Sequence, residues 1–357
     1  MALLHGTRIS KRQLMERVGD ISQIAGIRAS KLAGGKAEGV RCLDVKTGSG
    51  LSFAVVPDRC LDLAWTDYRG FALGYMSCVG MVGSGYFQLD GEAGFLKNFF
   101  AGLMTTCGLS NIGVPCFDDG EPLGLHGVIG NTPAEDVSVS QSWQADDFVM
   151  RISGTVRQSR FKGEHLVLRR TISTELGSSQ IRLNDTVTNE GFTSRPFALL
   201  YHINFGYPIV SESTRLYTPE TTITPRTDEA KGGLESYDRF QGPTEGYREQ
   251  VFYHELEAAA DGTAYACLFN PMLAGDGLGA VVRYNVNQLP ILTEWKEMGQ
   301  GAYAVGLEPC TAHLEGRDRL REEGKLEQLE PGEERSFDLE ISVVDGADAL
   351  QQLRNGG

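Results

Sequence analysis

The 357-residue sequence contains no apolar stretch near the roughly 20 residues that a membrane-spanning helix requires. Its opening residues are too polar for the apolar region of a secretory signal. Its six histidines lack the HxH and HExxH spacings of metal sites, and no glycine-rich loop has the phosphate-binding Lys-Ser or Lys-Thr ending. We therefore expect a cytoplasmic protein that needs neither a metal nor a cofactor.

The cysteines do not form the sequence pattern of a disulfide scaffold or of a zinc site. The seven cysteines are odd in number, scattered and without a CxxC pair. This pattern argues against a disulfide scaffold and against a zinc ribbon. Free thiols are typical of a reducing compartment, which agrees with the cytoplasmic expectation.

Positive charge is also scarce. The sequence has 33 Lys and Arg against 47 Asp and Glu, a formal net charge of −14. A polyanion would be repelled by such a chain, so nucleic acid and anionic membrane surfaces are excluded as expected partners. A small-molecule ligand remains, and the oligomeric state is open between monomer and homodimer.

The 44 glycines and many short alternating segments indicate an all-β fold, a large antiparallel β-sandwich. A short N-terminal helix is predicted after Ser10, which has Gln13 three residues on as half of a capping box. We divide the chain into an N-terminal helical segment, 1–30, and a single β-sandwich domain, 31–350. Residues 211–246 are predicted to form a polar surface excursion, and 351–357 a frayed end.

Three stretches combine an ionisable residue with unusual surroundings. In 124–134, His126 lies in a loop with glycines on both sides, which lets a backbone or a ligand approach closely. In 199–208, His202 and Asn204 share one face of a predicted strand and Tyr201 takes the other. Each histidine taken alone is either functional or structural, in the loop or in the core.

The third stretch, 303–311, contains Glu308 near the end of an apolar strand. An ionised carboxylate is costly to bury without compensation. Pro309 removes a backbone donor from the strand, so we expect Glu308 at a strand end where a pocket opens.

The sequence resembles the galactose mutarotase-like superfamily, in particular an aldose 1-epimerase-like bacterial branch often described as a domain of unknown function. The similar stretches run from about residue 39 to 344 and include those already described. They are Pro57-Asp58-Arg59-Cys60-Leu61-Asp62, Thr106-Cys107-Gly108-Leu109-Ser110-Asn111, Gly124-Leu125-His126-Gly127, Tyr201-His202-Ile203-Asn204, Glu294-Trp295-Lys296 and Val305-Gly306-Leu307-Glu308-Pro309.

The resemblance implies a β-supersandwich with an open polar cleft and an aldose 1-epimerase activity. It implies that Glu308 is the base, His202 the acid and His126 a sugar-binding residue, with Arg59 contacting sugar hydroxyls. Glu308 is followed by Pro309 where the enzymes it resembles have Thr-Gln. The resemblance therefore implies a reaction on a monosaccharide and leaves the sugar open.

Four more residues are predicted to bind the substrate: Asn111, Asn204, Trp295 and Lys296. Trp295 either stacks on the sugar ring or fills the core. Lys296 or Arg59 could bind an acidic group of the sugar. The alternative for Lys296 is a solvated charge at the surface. An acidic or a deoxy sugar is therefore among the expected partners.

Two other readings stay open. One is a different sugar enzyme on the same fold, since fold does not fix function. A hydrolase would need a second carboxylate opposite Glu308, for which the sequence offers Asp118, Asp119, Glu121 and Glu294. The other reading is a carbohydrate-binding or sugar-sensing protein without catalysis.

Overall fold

Most of the chain forms β-strands in the computed structural model, which describes residues 1–4, 6–219 and 221–355. The strands are β1 Ala2–Leu4, β2 Thr7–Ile9, β3 Gly26–Lys31, β4 Arg41–Lys46, β5 Leu51–Val56, β6 Asp62–Tyr68, β7 Phe71–Ala72, β8 Tyr75–Met76, β9 Ala101–Gly102, β10 Met104–Leu109, β11 Cys116–Asp118, β12 Glu121–Leu123, β13 Glu135–Gln144, β14 Asp147–Ser159, β15 His165–Glu175, β16 Gln180–Asn189, β17 Arg195–Pro196, β18 Ala198–Gly206, β19 Arg215–Tyr217, β20 Thr221–Pro225, β21 Gln250–Leu256, β22 Thr263–Asn270, β23 Leu278–Asn285, β24 Ile291–Met298, β25 Tyr303–Cys310, β26 Gln328–Leu329 and β27 Glu334–Asp345. The helices are α1 Lys11–Met15, α2 Gly91–Leu96, α3 Asp228–Gly233, α4 Arg317–Glu322 and α5 Ala347–Arg354.

Two large antiparallel sheets contain most of these strands. The larger has the order β20-β21-β24-β25-β18-β10-β6-β5-β4-β3, with β7 paired to β6. The smaller has the order β13-β14-β15-β16-β27-β23-β22-β19. The expected all-β antiparallel supersandwich is confirmed, and β18 lies in the middle of the larger sheet.

Side chains alternate between the two faces of each strand, so every second residue lies between the sheets. From β18, Tyr201, Ile203 and Phe205 point into the main apolar core, where they meet smaller-sheet residues such as Ile172 and Leu183. The other face of β18 is covered by a second apolar cluster on the outer side of the larger sheet. All nine residues of β18 are buried for this reason, including its polar ones.

A buried ionic network ties the sheets together behind β18. Arg170 of β15 pairs with Asp185 of β16 at 2.7 Å and reaches across to Asp62 of β6 at 3.1 Å. Tyr201 of β18 donates to the same Asp185 carboxylate at 2.8 Å. Because Arg170 and both aspartates have fully buried side chains, each charge depends on the others for its stability.

The short N-terminal helix is confirmed, with its capping box between Ser10 and Gln13. The helix has only five residues, Lys11–Met15. A hairpin of β1 and β2 precedes it. The division of the chain at residue 30 stays a prediction. Strand β3, Gly26–Lys31, crosses that boundary as an edge of the larger sheet.

Regular structure occupies parts of two segments that were expected to be irregular. Residues 211–246 supply β19 and β20, which are edge strands of the two sheets, together with helix α3. Of the end predicted to fray, 351–354 belong to α5, because Leu350 and Leu353 pack on the outer face of the smaller sheet, and 356–357 lie outside the described residues.

Candidate active site

A cavity of about 520 Å³ opens on the outer face of the larger sheet, over β18, β24 and β25. His202, Trp295 and Glu308 line its floor, and His126 lines its side. The aromatic rings are in contact: His202 lies 5.6 Å from His126 and 5.4 Å from Trp295 between ring centroids. Three of the four residues come from adjacent strands, and the loop before β13 adds the fourth.

His202 and Glu308 face each other across two neighbouring strands. The register pairs Ile203 with Leu307 and Leu200 with Cys310, which places His202 opposite Glu308. Nδ1 of His202 lies 3.2 Å from Oε1 of Glu308. The ladder between β18 and β25 is interrupted at this point, where Pro309 has no backbone N–H to donate.

Pro309 does not end its strand, contrary to expectation. Strand β25 continues to Cys310 and keeps its pairing with β24 on the other side. Glu308 therefore lies within the strand, and the pocket opens beside the interrupted ladder.

Asn204 fixes the orientation of the His202 ring. Its Nδ2 donates to the backbone carbonyl of His202 at 2.9 Å, so its Oδ1 must be the atom 2.5 Å from Nδ1 of His202. An amide oxygen only accepts, and Nδ1 therefore carries a hydrogen. This leaves Nε2 as the nitrogen that can exchange a proton with a ligand in the cavity.

Burial moves the two ionisable groups in opposite directions. Desolvation lowers the pKa of His202 to about 4, against a smaller raising effect of Asn204. Desolvation raises the pKa of Glu308 well above its usual value, and the charge of Glu249 adds to this. Between those two pKa values the pair holds a single proton. Within the described residues, Oε1 of Glu308 is buried and has no hydrogen-bond partner.

Gly306 provides the space for the Glu308 carboxylate. The two residues share a face of β25, and a Cβ on Gly306 would lie 2.2 Å from Oε1 of Glu308 and 3.1 Å from Cβ of Trp295. The carboxylate must therefore lie over the bare backbone of this glycine.

We expect Gly306→Ala to displace the Glu308 carboxylate and lower turnover by about 10²-fold, because small misplacements of a reacting group have effects of this size. Steady-state kinetics would measure it, with thermal unfolding to show that the fold is retained. Gly19→Ala is the matched control, since a Cβ there meets nothing within 4 Å. Equal turnover in the two variants would contradict this role of Gly306.

His126 is held at the cavity by close backbone packing. It has a left-handed backbone with φ of 57°, and its N–H donates to the carbonyl of Gly113 at 2.9 Å. A Cβ on Gly127 would lie 2.3 Å from the carbonyl oxygen of Gly108. Burial lowers the pKa of His126 well below its usual value, and nearby His202 adds to this effect. His126 is therefore neutral near pH 7.

Asn111 braces the same loop instead of lining the cavity. It is buried and donates from Nδ2 to the carbonyl of Gly124 at 3.0 Å. Like Asn204, it lies behind the cavity and orients a residue that faces it.

Two of the sequence-predicted residues lie elsewhere, and the expectation that they contact a sugar is corrected. Arg59 is buried and donates to three backbone carbonyls, those of Val82, Asn98 and Gly130. Lys296 follows Trp295 on β24 and so points to the opposite face, where Nζ donates to the carbonyl of Ser236 at 2.8 Å.

Several cavity residues escaped the sequence analysis. Phe95 and Phe99 stack on each other and contact the two histidines, with Phe95 4.9 Å from His126 and Phe99 5.0 Å from His202. Arg226 and Glu249 come from the long segment before β21. Oε2 of Glu249 accepts a hydrogen bond from Nε1 of Trp295 at 2.7 Å. No local pattern in these segments signals a shared site.

A second histidine–glutamate pair lies on the opposite face of the same sheet. Nε2 of His254 is 3.0 Å from Oε2 of Glu294, and both side chains are fully buried. The pair lies away from the cavity. Asp118 and Glu121, suggested as partners for a hydrolase, are instead engaged by Arg317.

Over the residues that the structure describes, no helix is both long and apolar enough to cross a membrane. Nor do those residues contain a group of three or more His, Cys, Asp or Glu placed to hold a metal ion.

The chain has the galactose mutarotase-like fold. A family model described as a domain of unknown function, DUF4432, matches residues 37–343, and the chain belongs to this family. A comparison with curated proteins gives no match.

Solved structures carry the same fold. A candidate aldose 1-epimerase from Klebsiella pneumoniae is 31% identical, with a TM-score of 0.88 over 98% of this chain and 90% of that one. A galactose mutarotase-like protein from Clostridium acetobutylicum is 14% identical, with a TM-score of 0.61 over 91% and 99%. Galactose 1-epimerase from Lactobacillus acidophilus is 13% identical, with a TM-score of 0.58 over 90% and 99%. The last two are similar in fold alone.

Proposed function

We propose that this protein is an aldose 1-epimerase, which interconverts the α and β anomers of a monosaccharide. The observation that carries the proposal is the pairing of His202 with Glu308 at 3.2 Å on the floor of a cavity. Similarity to a candidate aldose 1-epimerase over nearly the whole chain supports the same reaction class.

In the proposed reaction Glu308 is the base and His202 the acid. In the reactive form, the single proton that the pair holds between its two pKa values has moved from Glu308 to Nε2 of His202, whose Nδ1 keeps its own hydrogen. Ionised Glu308 then takes the proton of the C1 hydroxyl while Nε2 of His202 gives its proton to the ring oxygen, which breaks the bond from C1 to that oxygen. The open aldehyde turns about C1–C2, and the reverse steps close the ring on the other face. Each group returns to its starting protonation state, so the reaction consumes nothing.

The other residues position the reactants. Asn204 keeps the proton on Nδ1 of His202 and leaves Nε2 for the sugar. Neutral His126 accepts at Nδ1 from the backbone N–H of Gly113, at a long 3.4 Å, so Nε2 carries a hydrogen that can be donated to a sugar hydroxyl. Trp295 offers an apolar face to the sugar ring.

The pH dependence follows from the two shifted pKa values. Below about pH 4 both His202 and Glu308 are protonated, and Glu308 cannot accept a proton. Above the raised pKa of Glu308 the pair has lost its proton, and His202 cannot donate one. We expect kcat/KM to form a plateau whose acid limb lies near pH 4. An acid limb near pH 6.5, the value of an unperturbed histidine, would contradict this.

NMR of a freshly dissolved pure anomer separates an enzyme from a sugar-binding or sensing protein. With enzyme present, we expect equilibrium to be reached faster for at least one aldose in a broad panel. Ligand shifts without acceleration would favour the binding protein, and release of a smaller sugar from a glycoside would favour a hydrolase.

A further inference from the structure

Acidic side chains outnumber basic ones around the cavity. Among the described residues, four carboxyl groups line it, those of Glu92, Glu249, Glu297 and Glu308, against the single guanidinium of Arg226. The two other cations expected from the sequence, Arg59 and Lys296, point away from it, as shown above.

Arg226 already has an ion-pair partner. Its Nε lies 3.4 Å from Oε1 of Glu315 without a hydrogen bond to it, and its Nη2 donates to the carbonyl of Leu314 at 3.4 Å. A phosphate, sulfonate or carboxylate of a ligand would have to compete with Glu315 for it. The described residues that line the cavity offer such a group no other lysine or arginine.

Glu249 is held in place by a hydrogen bond from a residue of the cavity floor. Its Oε2 accepts from Nε1 of Trp295 at 2.7 Å, which anchors it beside the cavity floor. Glu249, Glu297 and Glu308 line the same cavity, and the negative charge of Glu249 helps to raise the pKa values of the other two. The buried, unpartnered Oε1 of Glu308 marks this acidic wall as part of a ligand site.

Carboxylates accept hydrogen bonds and cannot donate them. Sugar hydroxyls and ammonium groups are donors and suit such a wall. Anionic groups have no hydrogen to offer and are repelled. The remaining lining is largely apolar, with Phe95, Leu96 and Val114 among its members, and its donors, such as Nε2 of His126, carry no positive charge to offset an anionic group.

We infer that the site takes aldoses without an anionic group, and that Glu249 is the residue that excludes uronic, sulfonated and phosphorylated sugars. The inference rests on the proposed epimerase function. It differs from the expectation, drawn from the sequence, that an acidic sugar is among the substrates. Like charges about 12 Å apart in an effective dielectric near 20 weaken association roughly tenfold.

The test is a matched panel of sugars that differ only in charge. For each of the gluco, galacto and manno configurations, NMR exchange rates are measured at pH 8 for the neutral aldose, its 2-amino derivative, its uronate and its 6-phosphate. We expect kcat/KM for the neutral aldose to exceed that for its uronate by tenfold or more, with the gap narrowing at high salt. Equal or faster reaction of the anionic sugars would overturn the inference, whereas no acceleration of any sugar would overturn the proposed function instead.

Glu249→Gln tests the residue itself. Glutamine keeps an oxygen that can accept from Trp295 and removes the charge. We expect the ratio of kcat/KM for uronate to that for neutral aldose to rise about tenfold. Glu16→Gln is the matched control, because Glu16 is an exposed residue of the N-terminal segment paired with Arg12, and it changes the net charge equally. The same change of ratio in both variants, or in neither, would overturn the role of Glu249.

Discussion

Replacing Glu308 with glutamine is expected to lower the rate of anomer interconversion by about 10²–10⁴-fold, the usual contribution of a positioned acid or base. Glutamine fills the same volume but cannot take the C1 hydroxyl proton. His202→Asn is expected to have an effect of similar size. The double variant should be little slower than either single one, because the two groups act as a unit.

The fold should survive the Glu308 change. Since burial raises the pKa of Glu308, the free energy of unfolding falls as pH rises from the unfolded-state value of about 4.3 through the folded-state pKa. Glutamine has no such dependence, so at pH 8 the variant should be at least as stable as the wild type.

The second histidine–glutamate pair supplies matched controls. Glu294→Gln and His254→Asn alter an equally buried pair on the other face of the sheet. Per folded molecule, they should leave turnover close to that of the wild type. A loss of activity as large as that of Glu308→Gln would mean that general disturbance of the sheet explains both.

The second large effect concerns the network behind β18. Arg170→Met is expected to lower the free energy of unfolding by about 3–5 kcal/mol, because it leaves the carboxylates of Asp62 and Asp185 in the core without their counter-charge. Equilibrium unfolding in guanidinium chloride would measure the loss.

The adjacent residue provides the control for this network. Arg169 has a side chain 47% exposed and pairs with Glu190 at the surface. Arg169→Met should therefore cost at most about 1 kcal/mol. If Arg170→Met costs no more than that, the network does not hold the sheets together. Should Arg170→Met fail to fold, Tyr201→Phe removes only the hydrogen bond to Asp185 and should cost about 1–3 kcal/mol.

The sequence allowed the sheets and part of the site to be predicted, because both depend on alternation along strands. His202 and Asn204 share a face of β18, as their spacing indicates, and Tyr201 takes the other face. The same rule shows why Trp295 and Lys296 could not both face a ligand. The position of the Glu308 carboxylate over Gly306 could also have been predicted, since residues two apart on one strand share a face.

Other features depend on contacts between distant segments. Phe95, Arg226 and Glu249 reach the cavity from two segments outside its floor strands, and no local periodicity marks them. Arg59 lies in one of the stretches that carry the resemblance, yet it holds three loop carbonyls. Residue type alone does not distinguish that role from contact with a sugar.

The central claim is that His202 and Glu308 together catalyse ring opening of a sugar. Two-dimensional NMR exchange at anomeric equilibrium tests it most directly, because the exchange peaks report interconversion without any net reaction. We predict enzyme-dependent exchange between the α and β signals of a neutral aldose, lost in Glu308→Gln and in His202→Asn and kept in Glu294→Gln. Exchange that persists undiminished in folded Glu308→Gln would contradict the account.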